Sequence, residues 1–308
     1  MNKPMLFDPR HLPALPAHPA ELVHQHDSPL GESPLWEERE QVLYWVDIAR
    51  GQIHRFDPAT AENTTHTLTT KVTSLARRPS GGLVVTLRKN FAFYDPASGT
   101  VETLDPVESD QPGNRFNDGK VDRQGRYWAG TMNEVHIGQP DAALYRYEGP
   151  GRITKMIPEV TISNGTGWSP DGRTMYYTDT LRHTVFAYDF DPAGGTLSNR
   201  RPFLEIEPAS KGLPDGLTVD AEGFIWSALV NFGCMLRLDP AGKLERIVTF
   251  PATRGTCCAF GGPDYRDLYI TTARECLTEQ ELAAQPLAGS LFRCRPGVQG
   301  LVETPFAG

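Results

Sequence analysis

The sequence has no uninterrupted apolar run of about 18 residues, the length that a membrane-spanning helix requires. Basic residues are outnumbered, 30 Lys and Arg against 38 Asp and Glu, so charge does not favour nucleic acid or an anionic membrane as a partner. The N-terminal residues have no continuous apolar segment followed by a small-residue cleavage site, so no secretory signal is expected. These absences predict a cytoplasmic protein without a membrane or nucleic-acid partner.

Cysteine is also scarce and poorly arranged for cross-linking or for zinc. The five cysteines include the adjacent pair Cys257 and Cys258, and no C-x-x-C spacing occurs. Neither a disulfide framework nor a structural zinc site is therefore expected. The chain also lacks a G-x-S-x-G nucleophile elbow, an H-E-x-x-H zinc helix and a phosphate-binding loop.

What the sequence does contain is a repeat, in which a leading residue precedes a turn and then an aromatic-rich strand. The clearest copies are NDGKVDRQGRYWAG from Asn117, NGTGWSPDGRTMYYTD from Asn164 and DGLTVDAEGFIWSA from Asp215. Weaker copies begin at Glu32, Ser74 and Cys258, so the leading positions recur at intervals of 42 to 51 residues. Six copies at this period are typical of propellers and solenoids.

Each copy contains short strands separated by turns, and no segment has a clear helical period. A later strand in every copy ends in turn-forming residues: QIHRFDP, FAFYDP, ALYRYEGP, TVFAYDFDP, CMLRLDP and SLFRCRPG. Four-stranded meanders leave exposed edges unless they close into a ring. The chain is therefore predicted to be all-β, one domain over residues 1–308 that forms a six-bladed β-propeller of four-stranded antiparallel blades. Residues 1–19, rich in proline, are expected to form an arm, and AELVHQHD to close the ring by adding a strand to the last blade.

Several repeated residues have a structural explanation. Aromatic residues at matching strand positions are expected to pack between blades: Trp45, Trp128, Tyr177 and Trp226. Glycines in the turns are expected to supply backbone geometry that a Cβ would resist: Gly82, Gly125, Gly172 and Gly223. Neither set is interpreted as a ligand site.

The leading position has a different composition from the rest of the repeat. In a propeller, equivalent positions of the innermost strands surround the central channel, and here four of the six carry oxygen donors: Glu32, Asn117, Asn164 and Asp215. Burying two carboxylates together is costly unless a cation neutralises them, and carboxylate and amide oxygens are the ligands that hard divalent cations prefer. The pattern favours a metal site, and a water-filled polar channel is the alternative. Cys258, also at a leading position, is expected to be a small apolar residue at the axis.

Five motifs in order resemble the senescence-marker-protein/gluconolactonase/regucalcin family. They are GESPLW, RFNDGKVDRQGRYWAGTM, SNGTGWSPDGRTMYYTDT, GLPDGLTVDAEGFIW and CCAFGGPDYRDLYITTAR, and the resemblance extends to GSLFRCRPGVQGL. It implies a six-bladed propeller, in agreement with the repeat count. It also implies an enzyme that hydrolyses sugar lactones with one divalent cation.

The same resemblance assigns roles to individual residues. The family's metal ligands fall on Glu32 of GESPLW, Asn164 of SNGTGW and Asp215 of PDGLTVD. Its substrate contacts fall on Arg115 and Asn117 of RFNDGK. A further substrate-side Glu, which some members carry just after GTM, falls on Glu134 only with a shift of one residue, and a solvated loop position is the alternative for Glu134.

The sequence thus predicts a metal-dependent sugar lactonase, a carboxylic ester hydrolase that converts an aldonolactone to the aldonic acid. Water activated by the cation would attack the lactone, with Asp215 as candidate general base and with Arg115 and Asn117 orienting the sugar. Oxygen ligands suit Ca²⁺, Mg²⁺ or Mn²⁺, and Zn²⁺ or Fe²⁺ can bind the same side chains.

Two other classes of function compete with this interpretation. One is a non-catalytic calcium-binding or ligand-binding propeller of the regucalcin type. The other is a protein-interaction propeller, which does not explain four oxygen donors at equivalent positions. The expected partner is a small-molecule sugar lactone, and no sequence feature specifies an oligomeric state.

Overall fold

A computed structural model of the chain describes residues 6–13, 15 and 17–308. The described strands group into six sheets that form the blades of a β-propeller. An N-terminal arm comes first, with β1 (Leu6–Phe7), a 3-10 turn (Pro9–His11), β2 (Ala17–Pro19) and β3 (Glu21–His24).

The first three blades follow one another along the chain, each an antiparallel meander. Blade 1 contains β4 (Gly31–Glu37), β5 (Val42–Asp47), β6 (Gln52–Asp57) and β7 (Glu62–Thr67). Blade 2 contains β8 (Val72–Arg77), β9 (Leu83–Leu87), β10 (Asn90–Asp95) and β11 (Thr100–Pro106). Blade 3 contains β12 (Asn114–Val121), β13 (Tyr127–Asn133), β14 (Ala142–Tyr147) and β15 (Ile153–Val160).

The last three blades include short helical segments between strands. Blade 4 contains β16 (Ser163–Trp168), β17 (Thr174–Asp179), β18 (Thr184–Asp191) and β19 (Thr196–Ile206), with 3-10 turns at Thr180–Arg182 and Pro208–Ser210. Blade 5 contains β20 (Leu213–Val219), β21 (Ile225–Val230), β22 (Cys234–Leu238) and β23 (Leu244–Thr249). Blade 6 contains β24 (Gly255–Gly261), β25 (Asp267–Thr272), helix α1 (Glu279–Ala284) and β26 (Leu291–Cys294).

Strand β3 of the arm completes blade 6. It pairs antiparallel with β26, with Leu22 opposite Phe292, so one sheet contains segments from both ends of the chain. The prediction that AELVHQHD closes the ring is confirmed. The remaining strands of the arm were not foreseen: β1 adds in parallel to β19 and β2 to β23, which gives blades 4 and 5 a fifth strand. These additions cover outer edges that would otherwise expose unpaired backbone groups.

The motif V-D-x-x-G-x-x-W, which occurs in blades 3 and 5, explains how the turn after the inner strand is held in these two blades. In blade 3, Asp122 Oδ1 accepts hydrogen bonds from two amides of its own turn, and Asp122 Oδ2 accepts one from Trp128 Nε1 at 2.9 Å. Asp220 and Trp226 repeat the arrangement in blade 5, also at 2.9 Å. Gly125 and Gly223 have positive φ angles of 84° and 83°, as their turn role requires.

The core lies between neighbouring blades, where the aromatic residues of the repeat are packed. Trp45, Trp128, Tyr177 and Trp226 are each at most 1% exposed. Each belongs to an apolar cluster that joins residues of adjacent blades, as predicted. No helix within the described residues is long and apolar enough to cross a membrane.

Candidate functional site at the channel mouth

The innermost strand of every blade is irregular at the same place. Its pairing with the second strand shifts register at six equivalent steps: Glu32/Leu35, Val72/Ser74, Phe116/Gly119, Asn164/Thr166, Pro214/Leu217 and Gly255/Cys257. Such β-bulges leave residues out of the ladder and re-aim their side chains. The repeated bulge therefore places polar side chains at one end of the central channel, which is called the channel mouth below.

Two carboxylates from opposite parts of the sequence are buried at this mouth. Glu32 of blade 1 is 6% exposed and Asp215 of blade 5 is 8% exposed. Burial, followed by the charge of Asp118, raises the pKa of Asp215 to about 8. Burial, followed by the charges of Asp215 and Asp118, raises the pKa of Glu32 well above its usual value. The carboxylates of Glu32, Asp215 and Asp118 are therefore close enough to repel one another.

Asn164 is held in a fixed orientation next to Pro214 and Asp215 of blade 5. Its Nδ2 donates to Thr180 Oγ1 at 2.9 Å, and Thr180 Oγ1 donates to the carbonyl of Pro214 at 3.0 Å, next to Asp215. Gly165 permits the close approach of blades 4 and 5, because a Cβ there would lie 2.5 Å from the Asp215 carbonyl oxygen. The sequence SNG therefore needs its glycine for packing against blade 5.

The donor set fits a hard divalent cation. Asp215 Oδ1 is buried and has no hydrogen-bond partner among the described residues. Two carboxylate oxygens and an amide oxygen are also the ligand types that such cations prefer, and a cation would remove the repulsion. Within the described part of the chain, no three His, Cys, Asp or Glu side chains form a ligand group. A cation here would therefore need Asn164 in addition to Glu32 and Asp215.

Arg115 and Asn117 connect this donor set to the rim of the channel. Asn117 Nδ2 donates to Asn164 Oδ1 at 3.1 Å and to the carbonyl of Ser163 at 2.9 Å. Arg115 Nη1 in turn donates to Asn117 Oδ1 at 2.8 Å. Both side chains are buried, at 6% and 7% exposure, so their orientation is set by the protein before any ligand arrives.

Glu134 is held by three basic side chains and is not a solvated loop residue. Its Oε2 lies 3.2 Å from Arg115 Nε, its Oε1 accepts from Arg88 Nε at 3.0 Å, and Lys71 Nζ donates to Oε2. Burial raises the pKa of Glu134, but the hydrogen bonds from Lys71 and Arg88, together with the charges of Lys71 and Arg115, leave the pKa below its usual value. Glu134 therefore joins the site through Arg115.

Comparison with known proteins identifies the family of the chain. The sequence profile of the SMP-30/gluconolactonase/LRE-like region matches residues 30–274. The chain belongs to this family.

Relatives within the SMP-30/gluconolactonase/LRE-like family match along nearly the whole chain. Regucalcin of Xenopus laevis is 39% identical over 285 residues, covering 91% of this chain and 95% of its own. A protein of Bacillus subtilis (strain 168), provisionally named sugar lactone lactonase YvrE, is 39% identical over 280 residues with the same coverage. Among solved structures, a calcium-binding protein, regucalcin, of Agrobacterium tumefaciens strain C58 superposes with a TM-score of 0.89 at 29% identity, covering 96% of this chain and 100% of that one.

Two features of this family member were missed at the sequence level. Asp118 follows Asn117 within the same bulge, and burial raises its pKa to about 6. Cys257 packs against the residue after Asp215, because a Cβ on Gly216 would lie 2.4 Å from Cys257 Sγ. Cys258 packs in the apolar core with Trp226. The only local signal for Asp118 was a second polar residue directly after the leading one.

Proposed function

We propose that this protein hydrolyses a sugar lactone to the open-chain aldonic acid with the help of one divalent cation. The observation that carries the proposal is the buried Oδ1 of Asp215, which has no hydrogen-bond partner among the described residues and lies within electrostatic reach of a second buried carboxylate, Glu32. The family contains proteins named as lactonases, which supports the reaction class. A cytoplasmic location and a role in carbohydrate metabolism are part of the same proposal.

Glu32, Asn164 and Asp215 would hold the cation. When bound, a divalent cation polarises an ester carbonyl and makes water more acidic, which is the chemistry that lactone hydrolysis needs. Asn117 keeps the Asn164 amide in place through its own Nδ2, and Thr180 does so from the other side. These contacts fix the ligand orientation in the way that second-layer hydrogen bonds do in metal sites.

The reaction needs one base and one proton donor. Water adds to the lactone carbonyl carbon, the bond from that carbon to the ring oxygen breaks, and the proton lost by water ends on the ring oxygen as a hydroxyl. Asp215 is the candidate base that takes the proton from water and passes it on. Its Oδ1 is buried and has no hydrogen-bond partner among the described residues, so this oxygen is available to water or to the cation.

Arg115 and Asn117 would orient the sugar at the mouth. Arg115 is fixed by Asn117 Oδ1 on one side and by Glu134 on the other, so its guanidinium is already positioned for a hydroxyl or the carbonyl oxygen. Pre-positioning of this kind lowers the entropic cost of reaching the reactive geometry. Glu134 acts through Arg115 and is a positioning residue.

The test is proton release from glucono-, galactono-, xylono- and arabinono-lactones, measured with a pH indicator. We expect turnover with Ca²⁺, Mg²⁺, Mn²⁺ or Zn²⁺, none with EDTA, and a loss of about a thousand-fold in Asp215→Asn. Asp171→Asn, the same change in an exposed turn of blade 4, should keep full activity. Full turnover by Asp215→Asn with metal bound would remove Asp215 as the base.

The second candidate is a binding protein without catalysis. The relatives named regucalcin, one of them described as a calcium-binding protein, favour it. Binding of Ca²⁺ by calorimetry together with no turnover of any lactone would support this alternative and reject hydrolysis.

A further inference from the structure

Three cationic side chains converge on one carboxylate at the rim of the channel mouth. Lys71 Nζ and Arg88 Nη2 contact the two oxygens of Glu134, the latter at 2.9 Å, and Arg115 Nε lies 3.2 Å from Oε2. We call Lys71, Arg88, Arg115 and Glu134 the rim cluster. Its formal charge is three positive and one negative, which leaves two positive charges.

The accessible positive charge of the rim cluster is on Lys71 and Arg88. Arg115 is buried and already contacts Asn117 and Glu134. Within the described part of the chain, neither Lys71 nor Arg88 forms an ion pair with any acid except Glu134. Their side chains are 36% and 41% exposed, so a solute can reach both. An ammonium has three donor protons and a guanidinium five, so both retain donors for an additional anion.

All four residues lie at the same end of the propeller. Lys71 directly precedes β8 and Arg88 directly follows β9, while Arg115 is near the start of β12 and Glu134 directly follows β13. Antiparallel pairing places the start of each inner strand beside the end of the next, as with Val72 opposite Leu87. The rim cluster therefore continues, through Arg115, from the Asn117–Asn164 contact at the candidate metal site.

The fold itself does not require charge at these places. The residues that directly precede the inner strands of blades 4 and 5 are Ile162 and Gly212, where blade 2 has Lys71. The residues that directly follow the second strands are Thr180 and Asn231, where blade 2 has Arg88. Blade 6 has Arg254 at the position of Lys71 but Ala273 at that of Arg88, so blade 2 alone among the six blades has a basic residue at both positions.

We propose that the preferred substrate is an acidic sugar lactone, with a carboxylate or phosphate at the end of the sugar remote from the lactone carbonyl. This inference rests on the proposed lactone hydrolysis and names its substrate class. The anionic group binds Lys71 and Arg88 at the rim while the lactone ring lies beside Arg115 and the candidate metal ligands. Arginine and lysine are the residues that recognise both carboxylate and phosphate, so the structure defines the charge and the experiment distinguishes the two groups.

The test uses two matched pairs of lactones with metal supplied. D-glucaro-1,4-lactone and D-glucono-1,4-lactone differ in a carboxylate, and 6-phospho-D-glucono-1,5-lactone and D-glucono-1,5-lactone differ in a phosphate. We expect kcat/KM to be at least about ten-fold higher for the acidic member of one pair, since a charge-assisted hydrogen bond is worth about that factor. Raising NaCl from about 20 mM to about 500 mM should increase KM for the acidic lactone only.

Variants separate recognition from a purely structural role. Lys71→Met and Arg88→Met should each reduce the acidic-to-neutral ratio about ten-fold, mainly through KM, and Lys71→Arg should restore it. Lys243→Met removes an exposed lysine from the turn between β22 and β23, at the opposite end of blade 5, and should leave the ratio unchanged.

The outcomes distinguish this inference from the proposed function. Equal or better turnover of the neutral lactones in both pairs overturns the inference alone. If Lys71→Met and Arg88→Met lose kcat/KM equally for the acidic and the neutral member of a pair, the inference is also overturned. The rim cluster would then only hold Arg115 in place. If no lactone is hydrolysed with metal supplied, both proposals are overturned.

Discussion

Asn117 of blade 3 donates a hydrogen bond from Nδ2 to Oδ1 of Asn164 in blade 4, with a distance of 3.1 Å between the two atoms. The bond joins the bulges of two neighbouring inner strands. Asn117 Oδ1 also accepts from Arg115, so one amide connects the candidate metal ligand with the candidate substrate contact. A displacement of Asn164 is therefore transmitted to Arg115, and a displacement of Arg115 to Asn164.

Replacement of Asn117 by alanine is expected to reduce both stability and activity. The buried carbonyl of Ser163 loses its donor, which costs about 1–3 kcal/mol in the free energy of unfolding. Arg115 loses the acceptor that orients it, and misplacement of a substrate-positioning group costs about ten- to a hundred-fold in kcat/KM. Urea denaturation and lactone kinetics measure the two effects.

Asn90→Ala is the matched control for this variant. Asn90 Nδ2 donates to the carbonyl of Leu104 at 3.1 Å, between the outer strands of blade 2 and away from the axis. It should lose some stability but retain wild-type kcat/KM. If Asn117→Ala also retained wild-type kcat/KM, Asn117 would have no role in positioning Arg115.

The blade count and the ring closure could be predicted because they depend on local repeats. Strand-end prolines recur in all six copies and turn glycines in four of them. The AELVHQHD segment has the composition of one more strand, which the last blade needs to complete its sheet. The residues of the rim cluster carry no such signal. Lys71 and Glu134 are separated by 63 positions and Arg88 and Glu134 by 46, so only the register between blades 2 and 3 brings them together.

The bulges explain most of what the sequence could not show about the site. A repeat alignment assumes one residue per position, whereas each bulge inserts residues that have no partner in the next strand. Asp118 enters the channel mouth for this reason, since it lies inside the bulge of blade 3. The pKa of Asp215, raised to about 8, also depends on burial and on Asp118, which composition does not reveal.

Stability in EDTA should depend on pH through Asp215. Its pKa is about 8 in the folded chain and 3.8 in the ordinary state, so the folded chain binds more protons between these values. The free energy of unfolding should therefore fall as pH rises from about 4 to about 8, by at most about 1.4 kcal/mol per pH unit. The difference in unfolding free energy between about pH 5 and pH 8, measured by urea denaturation, should be smaller in Asp215→Asn than in the wild type. Asp171→Asn should keep the wild-type difference. An unchanged difference in Asp215→Asn would contradict the pKa assigned to Asp215.

Acid should destabilise the junction between blades 6 and 1 through His54. The ring of His54 is fully buried, stacks on Trp45 at 3.9 Å and meets His26 at 4.8 Å. Burial, followed by the charge of His26, lowers its pKa to about 3 from 6.5. The unfolded chain thus binds the proton first, and the free energy of unfolding should fall as pH drops from about 6.5 towards 3.

His54→Gln should weaken this acid dependence. The fall in unfolding free energy between about pH 7 and pH 5, measured by urea denaturation with metal present, should be smaller than in the wild type. His136→Gln removes an exposed histidine of the β13–β14 loop and should behave like the wild type. Equal acid dependence in all three proteins would show that His54 does not titrate on unfolding.

The opposite end of the channel is closed by the C-terminal segment, and Lys120 and Glu303 form an ion pair there at 2.9 Å. Both side chains are largely buried, at 20% and 17% exposure, and Lys120 Nζ also donates to Thr218 Oγ1. Glu303→Leu leaves the ammonium without its partner and should cost about 2 kcal/mol in the free energy of unfolding. Lys120→Met combined with Glu303→Leu should recover at least half of that loss, because neither charge then remains buried alone. A double variant as unstable as Glu303→Leu, measured by urea denaturation, would show that the leucine disrupts the packing of the segment and that the ion pair itself contributes little.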